Sequence, residues 1–205
     1  DGIAIRERPL TPTLVPFRSS DDTPSLDGRW LITGGLGSLG LQVADWLADR
    51  GVQSLVLTSR RGLPDDPGDA RVVAVQALRE RGVDVQAAAV DTTDQEAMRA
   101  LLTPSIRGIL HLAGTTTPQA IDDIDPETVA ETLAPKIRGA AILDALTEDM
   151  ELDAFVMFGS IAGVWGSREL SAYAAGNAFL GALARNRRQR GLKALTVHWG
   201  PWAGG

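Results

Sequence analysis

The sequence predicts an α/β fold, a doubly wound parallel sheet covered on both faces by helices to give three αβα layers. Three observations predict it. From Arg29 onward, short apolar runs alternate with amphipathic stretches, which is the rhythm of βαβ units. A glycine-rich turn, Thr33-Gly34-Gly35-Leu36-Gly37-Ser38-Leu39-Gly40, joins the first apolar run to the first amphipathic stretch. With 205 residues and 44% hydrophobic content, the chain is long enough for one sizeable core and fits one domain better than two.

Residues 1–28 collect Pro9, Pro12, Pro16 and Pro24 with Ser19, Ser20, Asp21 and Asp22, a composition expected of an extended connector, with a possible short strand at Ile3–Arg8. The folded domain is expected over 29–205. Its first strand is the apolar run Trp30–Thr33, and the first helix, Ser38–Arg50, opens on the glycines. Apolar runs at Ser54–Ser59 and Val83–Val90 give the next two strands, with amphipathic helices at Asp69–Arg81 and Asp94–Leu102. Strands at Gly108–Leu112, Ala154–Phe158 and Ala194–His198 follow, with helices at Pro126–Leu146 and Ser171–Arg190 between them. Each loop that leaves a strand then lies on the carboxyl edge of the sheet, where such folds bind ligands.

Composition removes several functions. The net charge of -6 and pI near 4.9 argue against nucleic acid as a partner, because that affinity rests on neutralising phosphates. The absence of cysteine excludes disulfides, thiolate metal sites and thiol nucleophiles. No apolar run reaches the length of a membrane span and no signal-peptide pattern opens the chain, so a cytoplasmic protein is expected. His111 and His198 each lie inside an apolar run without a partner at ligand spacing; both are expected to be satisfied core or strand-end residues, and no metal is expected.

The glycine turn sits between strand and helix, the context that a dinucleotide site requires. Glycine permits a tight turn and close backbone approach, and the helix N-terminus offers N–H groups to a pyrophosphate. Thr33, Gly34, Gly35, Gly37, Ser38, Leu39 and Gly40 are therefore cofactor-binding candidates. The second strand ends in Ser59-Arg60-Arg61, where an NAD site usually carries an acid for the ribose 2′-hydroxyl. Arginine suits a 2′-phosphate, so NADPH is expected over NADH. Asp91, followed by Thr92, can accept from an adenine amino group or serve as an ordinary helix cap. Ala113 and Gly114 are small enough for a nucleotide to pass close by, or for a simple turn.

Tyr173 is the only tyrosine, and Asn177 is one helical turn away on the same face. Ser160, expected just after the fifth strand, reaches the same edge. Reduction of a carbonyl creates an alkoxide, so its site must supply a proton and stabilise developing charge. A phenol of pKa about 10 does this best beside a cation. The only lysines are Lys136 and Lys193, and Lys136 stands on the helix after the fourth strand.

The motifs LITGGLGSLG, TSRRG, HLAG, LAPK, GSIAGVWG, YAAGN and VHWGPW together resemble the short-chain dehydrogenase/reductases, and specifically the ketoreductase domains of modular polyketide synthases, over Trp30 to Trp202. The resemblance implies a Rossmann fold in which Tyr173 protonates the carbonyl oxygen and Ser160 orients it. Lys136 would lower the tyrosine pKa and Asn177 would support the lysine and a relay water. The implied reaction is NADPH-dependent reduction of a β-ketoacyl thioester, held on the phosphopantetheine arm of an acyl carrier protein, to a β-hydroxyacyl thioester. Other domains of the same synthase are implied partners.

Trp165 is similar to the tryptophan of A-type domains, which give an L-hydroxyl, and Leu170 replaces the histidine linked to inverted α-substituents; A1-like behaviour is expected. As a loop tryptophan, Trp165 could equally cover a pocket rim. Pro201 and Trp202 are expected near the nicotinamide or in ordinary loop packing. The resemblance further implies a preceding structural subdomain, and a lid and last strand after the sixth strand of this chain. A noncatalytic or epimerising module and a free-standing carbonyl reductase remain the competing readings; the former usually loses part of the Lys, Ser, Tyr, Asn set, and the latter is disfavoured by the Tyr-to-Asn spacing.

Overall fold

The computed structural model describes residues 26–201, so Ile3–Arg8 and Trp202 lie outside the described residues. Six strands form a parallel sheet: β1 Arg29–Thr33, β2 Ser54–Ser59, β3 Asp84–Ala89, β4 Ile106–His111, β5 Ala154–Ser160 and β6 Leu195–Trp199. Their order is β3-β2-β1-β4-β5-β6, with every neighbouring pair parallel. This is the doubly wound Rossmann order, in which the chain reverses direction across the sheet between β1 and β4.

Strand side chains alternate between two cores, because successive residues point to opposite faces. Trp30, Ile32, Leu55 and Leu57 pack with Ala44 and Leu47 of α1 (Ser38–Asp49) and with Val75 and Leu78 of α2 (Ala70–Glu80). On the other face Leu31, Val56, Ile109, Phe155 and Met157 pack against Met98 of α3 (Gln95–Leu101), Leu143 of α5 (Ala140–Leu146) and Leu180 and Ala184 of α7 (Ser171–Gln189). Two covered faces explain why the strands read as near-continuous apolar runs.

Three expectations are corrected. The single helix expected over Pro126–Leu146 is an α-helix, α4, at Pro126–Ala134, a π-turn at Pro135–Gly139, and then α5. Ser160 does not follow the fifth strand; it is the last residue of β5, extended by its pairing with Trp199 of β6. A short helix, α6, at Ala162–Trp165 also fills what read as loop. No described helix is long and apolar enough to cross a membrane.

Candidate active site

The loops after β1, β2, β3 and β4 enclose a cavity of about 600 Å³ at the carboxyl edge. Its floor is the glycine turn. Gly34 has a φ of +68°, a left-handed conformation that favours glycine, and a Cβ at Gly40 would lie 2.6 Å from the Gly35 Cα. The entry to α1 therefore depends on the bare backbone at Gly40. α2, α3 and α4 are capped by the carboxylates of Asp69, Asp94 and Asp125, whereas Gly37 gives α1 no side-chain cap. The first N–H groups of α1 are thus left for a ligand, on the cavity wall formed by Gly37, Ser38, Leu39 and Gly40.

Thr33 and Gly35 do not line this cavity. Both are buried beneath the turn: the Thr33 hydroxyl is 2.7 Å from His111 Nδ1, and a Cβ at Gly35 would lie 2.7 Å from the Ile32 carbonyl oxygen. They shape the turn from below.

Ser59, Arg60 and Arg61 line the cavity, joined by Arg71 from the first turn of α2. Asp69 holds the Arg71 guanidinium through two bonds of 2.9 and 2.7 Å, and this contact pushes the Asp69 carboxyl down to about 2. Arg71 escaped the sequence reading because an arginine opening an amphipathic helix looks like a solvated residue. Asp91 and Thr92 also line the cavity. Burial pushes the Asp91 carboxyl up, but hydrogen bonds from the Thr93 N–H and hydroxyl, at 2.8 and 2.7 Å, and the charges of Arg60 and Arg138 outweigh it and leave the group below its ordinary value. Asp91 does not cap α3; Asp94 does. Ala113 and Gly114 close the wall after β4, beside Pro135. Three guanidiniums, an uncapped helix start and a side-chain-free turn fit a phosphate-rich dinucleotide.

Beyond Gly114 and Pro135 the residues expected for proton transfer draw together. Lys136, in the π-turn, is 4% exposed and donates from Nζ to the Phe158 carbonyl of β5 at 3.0 Å. Burial pushes its ammonium down to about 8. The same Nζ is 5.8 Å from the centre of the half-buried Tyr173 ring. Asn177 is fully buried and donates from Nδ2 to the Tyr173 carbonyl one turn earlier, at 2.7 Å, while its Oδ1 has no protein hydrogen-bond partner. Ser160 ends the strand that carries Phe158, and its Oγ accepts from the Ala162 N–H at 3.2 Å.

Trp165 ends α6 and is 76% exposed; Leu170 immediately precedes α7, and Pro201 is exposed after β6. Both histidines make hydrogen bonds: His198 Nδ1 lies 3.1 Å from the Ser160 carbonyl, and His111 is fully buried with both ring nitrogens bonded. Among the described residues there is no group of three or more His, Asp or Glu able to hold a metal.

Comparison with known proteins places these features in one family. The KR domain family model matches residues 28–204. Erythronolide synthase EryA3 of Saccharopolyspora erythraea is 39% identical over 100% of the chain and 6% of its own length. Pikromycin polyketide synthase component PikAIII of Streptomyces venezuelae is 44% identical over 86% of the chain and 12% of its own length. A solved structure titled as an A1-type ketoreductase superposes with a TM-score of 0.84 at 41% identity, covering 92% of this chain and 40% of that one. The chain thus spans 6% and 12% of these two curated relatives, a small part of each. A Rossmann sheet, a cavity lined by glycines and arginines at its switch point and this match over nearly all of the described residues lead to one conclusion: the chain belongs to the KR domain family, the ketone-reducing oxidoreductase domains of polyketide synthases.

Proposed function

We propose that this domain uses NADPH to reduce a β-ketoacyl thioester, presented on the phosphopantetheine arm of an acyl carrier protein, to an L-β-hydroxyacyl thioester without α-epimerisation. The observation that carries the reading is the buried Lys136 ammonium set between the end of β5, which bears Ser160, and the Tyr173 ring. NADPH rather than NADH is favoured by Arg60, Arg61 and Arg71 along one cavity. The stereochemical sense is supported by Trp165 at the end of α6, by Leu170 at the start of α7 and by the likeness to an A1-type ketoreductase.

A reduced nicotinamide dinucleotide, held by the turn at residues 37–40 and by Arg60, Arg61 and Asp91, would supply the hydride for the carbonyl carbon. The chain supplies the proton. As negative charge develops on the substrate oxygen, the Tyr173 hydroxyl transfers its proton there, and the Ser160 hydroxyl donates a hydrogen bond that orients the same oxygen. Lys136 Nζ, 5.8 Å from the centre of the Tyr173 ring, places a positive charge beside the negative charge that develops as the proton leaves. With its pKa pushed down to about 8, it remains mostly charged at neutral pH. Asn177 fixes the Tyr173 turn of α7 through Nδ2 and presents Oδ1 to a relay water that restores the proton.

The test is reduction of a β-ketoacyl-N-acetylcysteamine thioester, followed by NADPH or NADH oxidation and chiral analysis of the product. NADPH is expected to be preferred at least about tenfold and the product to be mainly the L-hydroxyl. An NADH preference or a mainly D-hydroxyl product would contradict the corresponding half of the proposal. Cofactor binding without reduction would favour a noncatalytic module.

A further inference from the structure

His111 takes no part in the chemistry described above, yet both of its ring nitrogens are committed. Nε2 lies 3.0 Å from the Pro135 carbonyl oxygen. A carbonyl only accepts, so Nε2 carries the ring proton. Nδ1 of the neutral ring is then an acceptor, and takes the hydroxyl proton of Thr33 at 2.7 Å. Thr33 Oγ1 in turn accepts from the Ala113 N–H at 3.3 Å. The result is a chain of bonds from Ala113 through Thr33 and His111 to Pro135, in which Thr33 and His111 each accept once and donate once. Burial, and then the charge of Lys136, push the His111 ring down to about 3, so this neutral tautomer persists across the working range of pH.

The end of that chain matters because Pro135 opens the π-turn and Lys136 is its next residue. A π-turn widens the helix and loosens its hydrogen-bond ladder, so it is held less firmly by its own backbone than the α-helix on either side. An outside donor on one of its carbonyls compensates. The turn is also held from the side, where a Cβ at Gly139 would lie 2.7 Å from Thr92 Oγ1. The lysine stem runs close to backbone, since a Cβ at Gly114 would lie 3.1 Å from Lys136 Cε.

We infer that His111 is a positioning residue for Lys136: its Nε2–H fixes the Pro135 carbonyl, and so the π-turn that directs Lys136 toward the Phe158 carbonyl and Tyr173, while Nδ1 ties that turn to Thr33 beneath the glycine turn. The inference rests on Lys136 acting as the cation that supports Tyr173. Fixing a reacting group within a fraction of an ångström is worth large factors in rate, which is what such a tether provides. The simple alternative is a core histidine that stabilises the fold and nothing more.

Four variants separate these possibilities in the intact chain, with kcat, KM and the pH profile measured on the model thioester and NADPH affinity measured by fluorescence titration. Lys136→Met tests the underlying reading and is expected to lose at least about 100-fold in kcat. His111→Phe keeps the ring volume and removes both bonds; it is expected to lose about tenfold or more in kcat, with KM and NADPH affinity within about threefold of wild type and the pH limits of kcat displaced. His111→Gln keeps an amide donor for Pro135 and is expected to recover kcat to within about threefold of wild type. Thr33→Val removes the bond to Nδ1 and the bond from the Ala113 N–H, leaves the Nε2 bond to Pro135 in place, and is expected to give an intermediate loss, so it decides the matter if His111→Phe does not fold. A wild-type rate in Lys136→Met overturns the underlying reading, and the inference falls with it. Loss in Lys136→Met, with kcat and pH profile unchanged in His111→Phe, or in Thr33→Val should His111→Phe not fold, overturns the inference alone. Equal losses in the Phe and Gln variants also overturn it.

Discussion

The role proposed for Lys136 conflicts with stability. Burial lowers its pKa from 10.5 to about 8, so holding the charged form at neutral pH costs on the order of 3 kcal/mol. Part of that is offset by the bond to the Phe158 carbonyl, whose loss would cost about 1–3 kcal/mol. Lys136→Met is therefore expected to stabilise the fold at about pH 7 by on the order of 1 kcal/mol, or a few degrees in Tm, while abolishing reduction. The sign follows from proton counting. Between the folded value of about 8 and the unfolded value of 10.5, the unfolded chain binds more protons, so wild-type stability rises with pH through that window. The Met variant lacks this rise, and thermal unfolding followed by circular dichroism at about pH 7 and pH 10 should show the gap close. A Met variant less stable than wild type at neutral pH would contradict this account. In the sequence Lys136 stood out through the scarcity of lysine. The tether at His111 was not legible, because a histidine in an apolar strand looks the same whether it merely fills the core or anchors a neighbouring turn.

At the scale of elements, the strands were legible because both sheet faces are covered and each strand is an apolar run. The break in the helix over Pro126–Leu146 was not, since a π-turn of five residues barely disturbs the apolar periodicity on either side. Ser160 was placed just past its strand because pairing with β6, which extends β5 to that residue, leaves no mark in local sequence. Thr33 and Gly35 carry the same motif signal as the glycines that line the cavity, and only the direction of the turn sorts them. The entry to α1 gives a direct test of that turn. Gly40→Ala would press a methyl group against Gly34 and Gly35, and is expected to weaken dinucleotide binding by about tenfold or more. Asp94→Ala removes a cap that accepts from the Glu96 and Ala97 N–H groups at 3.1 and 3.0 Å; it should cost about 1 kcal/mol of stability and leave cofactor binding intact. Paired fluorescence titrations and melts check both, and equal binding in Gly40→Ala would argue against pyrophosphate contact at this turn.

At the scale of the molecule, one topological fact brings the parts together. The sheet order β3-β2-β1-β4-β5-β6 leaves a crevice where the connections from β1 and β4 diverge, and the cavity opens there. The loops of β1 to β4 form the half that fits a dinucleotide; β5, α7 and the π-turn carry the residues proposed for proton transfer. Pro135 and Gly114 stand where the two meet. The central claim is that Tyr173, supported by Lys136, delivers the proton in the second half while the first half binds NADPH independently. The most direct measurement is single-turnover reduction of the model β-ketoacyl thioester by Tyr173→Phe, with NADPH affinity titrated in parallel. The account predicts NADPH affinity within about threefold of wild type and a reduction rate lower by at least about 100-fold. An unchanged rate would remove Tyr173 from proton transfer and contradict the account.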